Sequence, residues 1–286
     1  PHYDWCLVPE KFRIGDYIAL GARPIYCQEA ANPNIYKPYD LPLEFDVTFV
    51  GQAYGDRPSY IRQLLDSGID IRVWGYGWDN YSAGAGPMFR RALHGCNEMR
   101  RQDGLQGVAR RVIGHLRQAR LPDRSRGAAS VRLPQGILGG VLSDTEMIKM
   151  YSRSKINLGF SSCGDTHRTG DKVLQVRLRD FEVPMCGGFY MVEYMEELEE
   201  FFEIGKEIVC YEGPEDLVEK IGYYLHHDRE RDVIREAGRR RCLRDHTWHK
   251  RFEKVFEYIG LQGPQEPPKL PFLCPYITGR NIFGIR

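Results

Sequence analysis

The chain has 286 residues, 42% apolar and 28% charged, with a formal net charge of +1. This is the composition of a globular protein long enough to bury a core, and a global charge so close to neutral points to no class of partner. No apolar run reaches the roughly 18 residues that a membrane span needs, and the eight cysteines show neither a C-x-x-C pair nor zinc-ligand spacing, so they read as free, buried thiols of a reducing cytoplasm.

The first residues, Pro1-His2-Tyr3-Asp4-Trp5, carry no basic and no apolar leader segment, so no signal peptide is expected. Without an initiator methionine the chain reads as a fragment or a processed form. Tyr3 to Val8 has a strand pattern, Phe12 to Leu20 a helical one closed by Gly21, and Pro24 to Gln28 a second strand pattern. Together they make one βαβ unit, followed by a polar link up to Pro42. Phe45 to Val50 is a strand that enters the loop Gly51-Gln52-Ala53-Tyr54-Gly55-Asp56-Arg57. A helix then runs from about Ser59 to Ser67, and Ile69 to Trp74 is the next strand.

Residues 79–140 break this rhythm. Ser143 and Glu146 stand at capping-box spacing at the head of a helix that reaches Ser152, and Lys155 to Phe160 is a strand. A polar, glycine-containing loop (161–170) leads to a helix expected from Asp171 to Glu182. Phe189 to Val192 and Glu207 to Tyr211 are further strands, with a short acidic helix around Glu196 to Phe202 between them. Three more helices are expected, one starting at Gly213-Pro214 and the others over 228–240 and 247–258. The proline-rich tail 261–286 has little periodicity. Alternation of strand and helix implies an α/β fold, a Rossmann-like parallel sheet with helices on both faces.

On a helix spanning Asp171 to Glu182, Val173, Leu174, Leu178 and Phe181 would share the face that packs on the sheet. Lys172, Gln175, Arg179 and Glu182 would form a polar stripe, and Arg177 would fall inside the apolar arc, where a guanidinium needs a partner or an anion. A nucleoside diphosphate calls for such parts. Its phosphates take backbone amides at a helix N-terminus and one or two cations, and its ribose diol takes a carboxylate. Glu182 suits the diol; Arg168 or Lys172, beside the glycine-containing loop, suits the phosphates. The plainer alternative is a solvated helix face with i,i+4 pairs. The loop from Gly51 to Arg57 lies where open α/β sheets bind ligands, with Arg57 at the helix start, or it is an ordinary βα turn. Gly75-x-Gly77-x-x-Asn80 falls short of the dinucleotide fingerprint, which disfavours an oxidoreductase.

The run from Lys172 to Phe189, with Arg177-Leu-Arg179-Asp180-Phe181-Glu182 followed by Pro184-Met-Cys186-Gly187-Gly188, resembles the signature of the spore-maturation-type (CgeB-like) glycosyltransferases. Asp46 to Gly51, Tyr151 to Leu158, Glu193-Tyr194, Gly205 to Val209, Ala237-Gly238 and His246-Thr247-Trp248 fit in the same order, so the resemblance covers roughly residues 40 to 260. It implies a GT-B fold, in which two Rossmann-like domains face each other and the C-terminal one holds a nucleotide-sugar donor. On that basis residues 1–40 are the last βαβ unit of a truncated N-terminal acceptor domain. Residues 41–260 are the donor domain, with a basic helical insertion at 79–140. The resemblance further implies that Glu182 contacts the donor ribose, that Gly187 and Gly188 lie near the donor, and that the loop after Ser161 covers the diphosphate. Gly51, Arg57, Lys172, Arg177, Arg179 and Arg168 are assigned to donor binding. The acid that the retaining GT-B group carries eight residues before its ribose glutamate is replaced by Leu174, so neither its role nor a stereochemical outcome carries over.

The expected activity is transfer of a sugar from a nucleotide-diphosphate-sugar to a glycan, protein or small-molecule acceptor. The resemblance implies a reaction without bound metal, as is common in GT-B enzymes, and the chain has no Asp-x-Asp motif; no cofactor is expected. With so little of a front domain, a non-catalytic nucleotide-sugar-binding or scaffold module is the alternative. Residues 87–126 hold ten arginines against three acids, which suits peripheral contact with an anionic inner-membrane surface or, more plainly, a solvated basic face. Phe89 is the sole aromatic residue there, which argues against nucleic acid. The expected location is the cytoplasm.

Overall fold

The computed structural model describes residues 3–83, 131–164 and 172–261. The front unit has strand β1 (Cys6–Val8), helix α1 (Ile14–Ala19) and strand β2 (Pro24–Tyr26), and the two strands pair in parallel, Cys6 opposite Pro24 and Val8 opposite Tyr26. The main sheet is built from β3 (Phe45–Val50), β4 (Ile71–Trp74), β5 (Ser154–Gly159), β6 (Tyr190–Glu193) and β7 (Val209–Tyr211). Its order is β4-β3-β5-β6-β7, and every neighbouring pair is parallel.

Parallel strands buried on both faces read as continuous apolar runs, and β6, Tyr-Met-Val-Glu, is buried at all four positions. Alternate side chains feed two cores. Val47, Phe49, Ile156, Leu158, Met191 and Tyr211 face α2 (Arg57–Asp66) and, later in the chain, α5 (Pro214–Leu225), through Ile61, Leu64, Leu217 and Ile221. On the other face Val50, Tyr190, Val192 and Cys210 meet α3 (Asp144–Arg153) and α4 (Leu178–Met185), through Ile148, Tyr151, Phe181 and Val183. The alternation of elements in the sequence therefore became the expected doubly covered parallel sheet.

Two helices close the described residues, α6 (Asp228–Asp245) and α7 (Trp248–Tyr258). The last one returns to the front unit. Val255 packs on Ile25 and Cys27, Tyr258 meets Trp5 edge to face, and Arg251 donates to the Gln28 carbonyl at 3.2 Å. Among the described residues Cys27, Cys186, Cys210 and Cys242 are buried free thiols, and Cys6 is a half-buried one.

The helix expected over 171–182 is displaced. Residues 173–175 are extended, with the Gln175 amide on the Ser161 carbonyl (3.0 Å) and the Cys163 amide on the Val173 carbonyl (2.8 Å). Helix α4 starts only at Leu178 because Asp180 accepts a hydrogen bond from the Arg177 amide (2.8 Å) and fixes the first turn there. It then runs through Pro184, which lies one residue from its end. Lys172 and Gln175 therefore share no helical stripe with Arg179 and Glu182.

The excursion at 79–140 is anchored at its stems. Ser82 bridges Leu133 and Val73 bridges Leu138, so the returning chain lies against β4. The Ala83 amide donates to the Leu133 carbonyl at 2.9 Å. Arg168, the arginine-rich stretch 87–126 and the tail beyond Leu261 lie outside the described residues.

Candidate functional site

In this strand order the chain goes from β3 to β4 on one side and then crosses to β5 on the other. The gap between the carboxyl ends of β3 and β5 is the position where open parallel sheets bind ligands. A cleft of about 610 Å³ opens there. Its floor is Phe49, Val50 and Gly51 from β3 and Gly159 and Phe160 from β5. One wall is Gly75, Tyr76, Val141, Leu142 and Met147, and the other is Gln175, Arg177, Leu178, Arg179 and Glu182, with Glu29 reaching in from the front unit.

Close backbone approach shapes the floor. Gly75 has φ +132°, and a Cβ there would stand 2.2 Å from the Gly51 carbonyl oxygen, so only glycine lets the loops after β3 and β4 meet. The Trp78 indole donates to that same oxygen at 2.8 Å.

Three guanidiniums meet in the cleft, and among the described residues none has a carboxylate within ion-pair distance. Arg57 is only 6% exposed. It lies 3.7 Å over the Tyr54 ring, donates to the Gln52 carbonyl at 3.0 Å, and has no acceptor for its buried Nε. Burial pulls its pKa down to about 10; Tyr54 opposes this, while the charges of Arg177 and Arg179 add to it. Arg177 donates to the Ser162 carbonyl, and its Nε is likewise buried without a partner. Arg179 donates to the Val50 carbonyl and, at 3.1 Å, to the Tyr151 hydroxyl. Such a cluster is repulsive by itself and attracts an anion. The first turn of α4 adds its positive dipole end to the same wall.

Glu182 lies one turn further along α4 and is 4% exposed. Burial raises its carboxyl above the ordinary range, against a hydrogen bond from the Tyr36 hydroxyl and the pull of Arg179. A carboxylate so placed has lone pairs for hydroxyl donors and a cationic neighbour that keeps it useful as an acceptor.

Of the residues singled out from sequence, Gly51, Arg57, Arg177, Arg179 and Glu182 line this one cleft. Lys172 does not. Its ammonium is held by Glu193 and by Asp56 (3.2 Å), which ties the 172–176 strand to the loop after β3. Glu193 in turn accepts from the Ser161 amide (3.2 Å) and the Ser162 hydroxyl (2.9 Å). Gly187 and Gly188 are also elsewhere, contrary to the expectation from the resemblance. They follow the far end of α4, where Gly187 lines a separate cavity of about 470 Å³ with Pro38 and Arg235, and Gly188 is pressed against Val183 and Asn157. An eight-residue helix that starts at the carboxyl edge of the sheet necessarily ends at the opposite edge.

Sequence reasoning missed Glu29, Tyr36 and Asp180. The first two come from the link before β3; Glu29 lines the cleft and Tyr36 stands against Glu182 only through the tertiary fold. Asp180 did leave a signal, since an acid three residues after Arg177 has the spacing of a helix-start cap. Among the described residues no group of three or more His, Cys, Asp or Glu gathers as a metal site, and no helix is long and apolar enough to cross a membrane.

Residues 57–257 match the model of the glycosyl transferase-like family. No curated protein matches the chain. Among solved structures it is similar to a sucrose-phosphate synthase from Thermosynechococcus elongatus, with a TM-score of 0.53 and 13% identity over 91% of this chain and 59% of that one. It is similar to Anabaena Alr3699/HepE in complex with UDP and glucose, with a TM-score of 0.56 and 10% identity over 90% of this chain and 63% of that one. TarM of S. aureus gives 0.52 and 10%, over 88% and 43%. The chain thus spans less than two thirds of the length of each of these structures, and at such identities the likeness concerns the fold. The family match extends over most of the chain and the parallel sheet agrees with it: the chain belongs to the glycosyl transferase-like family, of GT-B architecture.

Proposed function

We propose that the cleft binds a nucleotide-diphosphate-sugar and that the protein transfers its sugar to an acceptor. One observation carries this reading: a buried carboxylate, Glu182, and three arginines without carboxylate partners among the described residues line the same cleft at the β3/β5 switch point. The diphosphate lies against Arg57, Arg177, Arg179 and the first turn of α4, and Glu182 accepts from the ribose hydroxyls. As the bond between the sugar's anomeric carbon and the phosphate oxygen breaks, charge builds on the leaving diphosphate. Guanidiniums already fixed by carbonyl and aromatic contacts stabilise that charge without reorganising. The new bond forms to an acceptor oxygen, whose proton leaves with solvent or a base. Three fixed cations supply the countercharge, so the proposed reaction draws on no metal.

Lys172 serves as a brace for the wall rather than as a phosphate ligand. Residues 1–40 act as the last βαβ unit of an acceptor domain, and residues 41–260 as the donor domain of a spore-maturation-type (CgeB-like) enzyme. UDP-sugars are the first donors to test, because Alr3699/HepE was solved with UDP-glucose and with UDP and glucose.

The test is a thermal-shift screen of UDP-, GDP-, ADP- and TDP-sugars on the wild type and on Glu182→Ala, run beside a donor-hydrolysis assay. One base class is expected to raise the melting temperature of the parent, and the variant loses most of that shift. Equal shifts in both proteins overturn the ribose assignment. Binding without any turnover favours the non-catalytic module.

A further inference from the structure

Behind the wall that carries Arg177 lies a second polar layer, built at the ends of β5 and β6. Glu193, the last residue of β6, is buried and does not line the cleft. Its Oε2 accepts from the Ser161 amide at 3.2 Å and from the Ser162 hydroxyl at 2.9 Å, and its Oε1 takes the Lys172 ammonium. A carboxylate has the lone pairs for all three donors. The Ser161 hydroxyl adds a bond to the Glu193 carbonyl at 2.7 Å.

Ser162 is the link from this layer to the cleft. Its hydroxyl donates to Glu193, while its carbonyl accepts from the Arg177 guanidinium. The same carbonyl accepts from the Tyr54 hydroxyl at 3.4 Å, and the Tyr54 ring lies 3.7 Å from Arg57. The placement of one peptide group thus reaches two of the three guanidiniums. On one side that peptide is held by the extended segment 173–175, where Ser162 bridges Leu174 and the Gln175 amide donates to the Ser161 carbonyl at 3.0 Å. On the other side it is held by Glu193. A guanidinium grips phosphate oxygens through a rigid fork, and a misdirected fork loses its second bond. Among the described residues no carboxylate directs Arg177, so its direction falls to the Ser162 carbonyl.

We infer that Glu193 is a positioning residue of the donor cleft: through the Ser162 hydroxyl it fixes the carbonyl that aims Arg177 at the diphosphate. The inference rests on the phosphate reading of the cleft given above. It gives a part in binding to a carboxylate behind the wall, and it explains why the brace formed by Lys172 ends on Glu193 as well as on Asp56.

The test is calorimetric titration with inorganic pyrophosphate, which addresses this subsite whatever the nucleotide base. The proteins are the wild type, Ser162→Ala, Glu193→Gln, Arg177→Ala and the double variant Glu193→Gln/Arg177→Ala, each checked for cooperative unfolding. Ser162→Ala deletes the link and leaves the Lys172–Glu193 ion pair in place. Glu193→Gln leaves one acceptor oxygen where three donors converge. Each is expected to weaken pyrophosphate binding about three- to tenfold, the worth of one hydrogen bond. In the Arg177→Ala background the change at Glu193 is expected to cost about twofold or less, because the group it aims is gone. Where Arg177→Ala abolishes binding, Arg177→Lys takes its place in the cycle. An equal loss in both backgrounds, or unchanged binding in folded Ser162→Ala, overturns the inference. If Arg177→Ala alone weakens binding, the positioning role is lost and the phosphate reading of the cleft stands. If Arg177→Ala changes nothing, or the wild type binds no pyrophosphate, that reading is itself lost.

Discussion

The Tyr190 hydroxyl donates a 2.7 Å hydrogen bond to Oδ1 of Asp180, while Oδ2 of the same buried carboxylate takes the Arg177 amide at 2.8 Å. One side chain thus joins the start of α4 to β6 and sets the direction from which Arg177 and Arg179 enter the cleft. Asp180→Asn has a single acceptor where two donors converge. It is expected to cost about 1–3 kcal/mol in urea unfolding and to weaken nucleotide-sugar binding, although Asp180 itself does not line the cleft. Loss of stability with unchanged binding would show that α4 holds its orientation without this carboxylate.

Asp180 and His246 titrate in one pH window with opposite effects. Burial pushes the Asp180 carboxyl up to about 6 from 3.8. The folded state therefore binds more protons than the unfolded one in this range. Its contribution is full below the unfolded pKa and is lost as pH rises through 6, by an amount on the order of 2–3 kcal/mol. Burial pulls His246 down to about 4 from 6.5, with Nε2 placed 2.7 Å from the Phe201 carbonyl and Nδ1 3.2 Å from Arg251. Its contribution is full above the unfolded pKa and is lost as pH falls through 4. The two effects offset each other in the wild type, so urea midpoints from pH 3.5 to 7 are expected to rise more with pH in Asp180→Asn than in the wild type. In His246→Gln the acid-side loss is smaller than in the wild type.

Arg57 is expected to trade stability for binding. Among the described residues it has no carboxylate partner; it is buried and repelled by two neighbouring guanidiniums. Arg57→Met keeps much of the packing over Tyr54 and Phe160 and removes a desolvated charge. The unfolding midpoint should stay level or rise, while affinity for a nucleoside diphosphate falls by about one to two orders of magnitude. A parallel fall of both quantities would mean that the guanidinium serves the fold rather than a ligand.

Gly159 and Tyr190 are coupled by space. A Cβ at Gly159 would lie 2.2 Å from the Tyr190 hydroxyl and 2.6 Å from the ring carbon that bears it. Gly159→Ala is expected to destabilise by about 2–3 kcal/mol. A double-mutant cycle with Tyr190→Phe should show a coupling of about 1 kcal/mol, because removal of the hydroxyl relieves part of the clash. Strict additivity would indicate that the loop after β5 shifts freely.

The strands were legible in the sequence because a parallel sheet leaves uninterrupted apolar runs, as at Phe45–Val50 and Val209–Tyr211. The beginning of α4 was not. Val173, Leu174, Leu178 and Phe181 imitate a helical period, but Val173 and Leu174 belong to an extended segment held by Ser161 and Cys163. That shift separated Lys172 from Arg179, and the short helix that remains put Gly187 and Gly188 at the wrong end for the cleft. Glu182 and the three arginines could be chosen by their chemistry alone. Glu29 and Tyr36 could not, since what brings them to α4 is the return of α7 onto the front unit, a contact with no local trace.

The stems at Ser82–Leu133 and Val73–Leu138 close the chain on itself before it leaves the sheet. They work as a socket. Whatever stretch joins residue 83 to residue 131 plugs in at the outer edge of β4, so exchange of that stretch for a short turn leaves the contacts that shape the cleft in place.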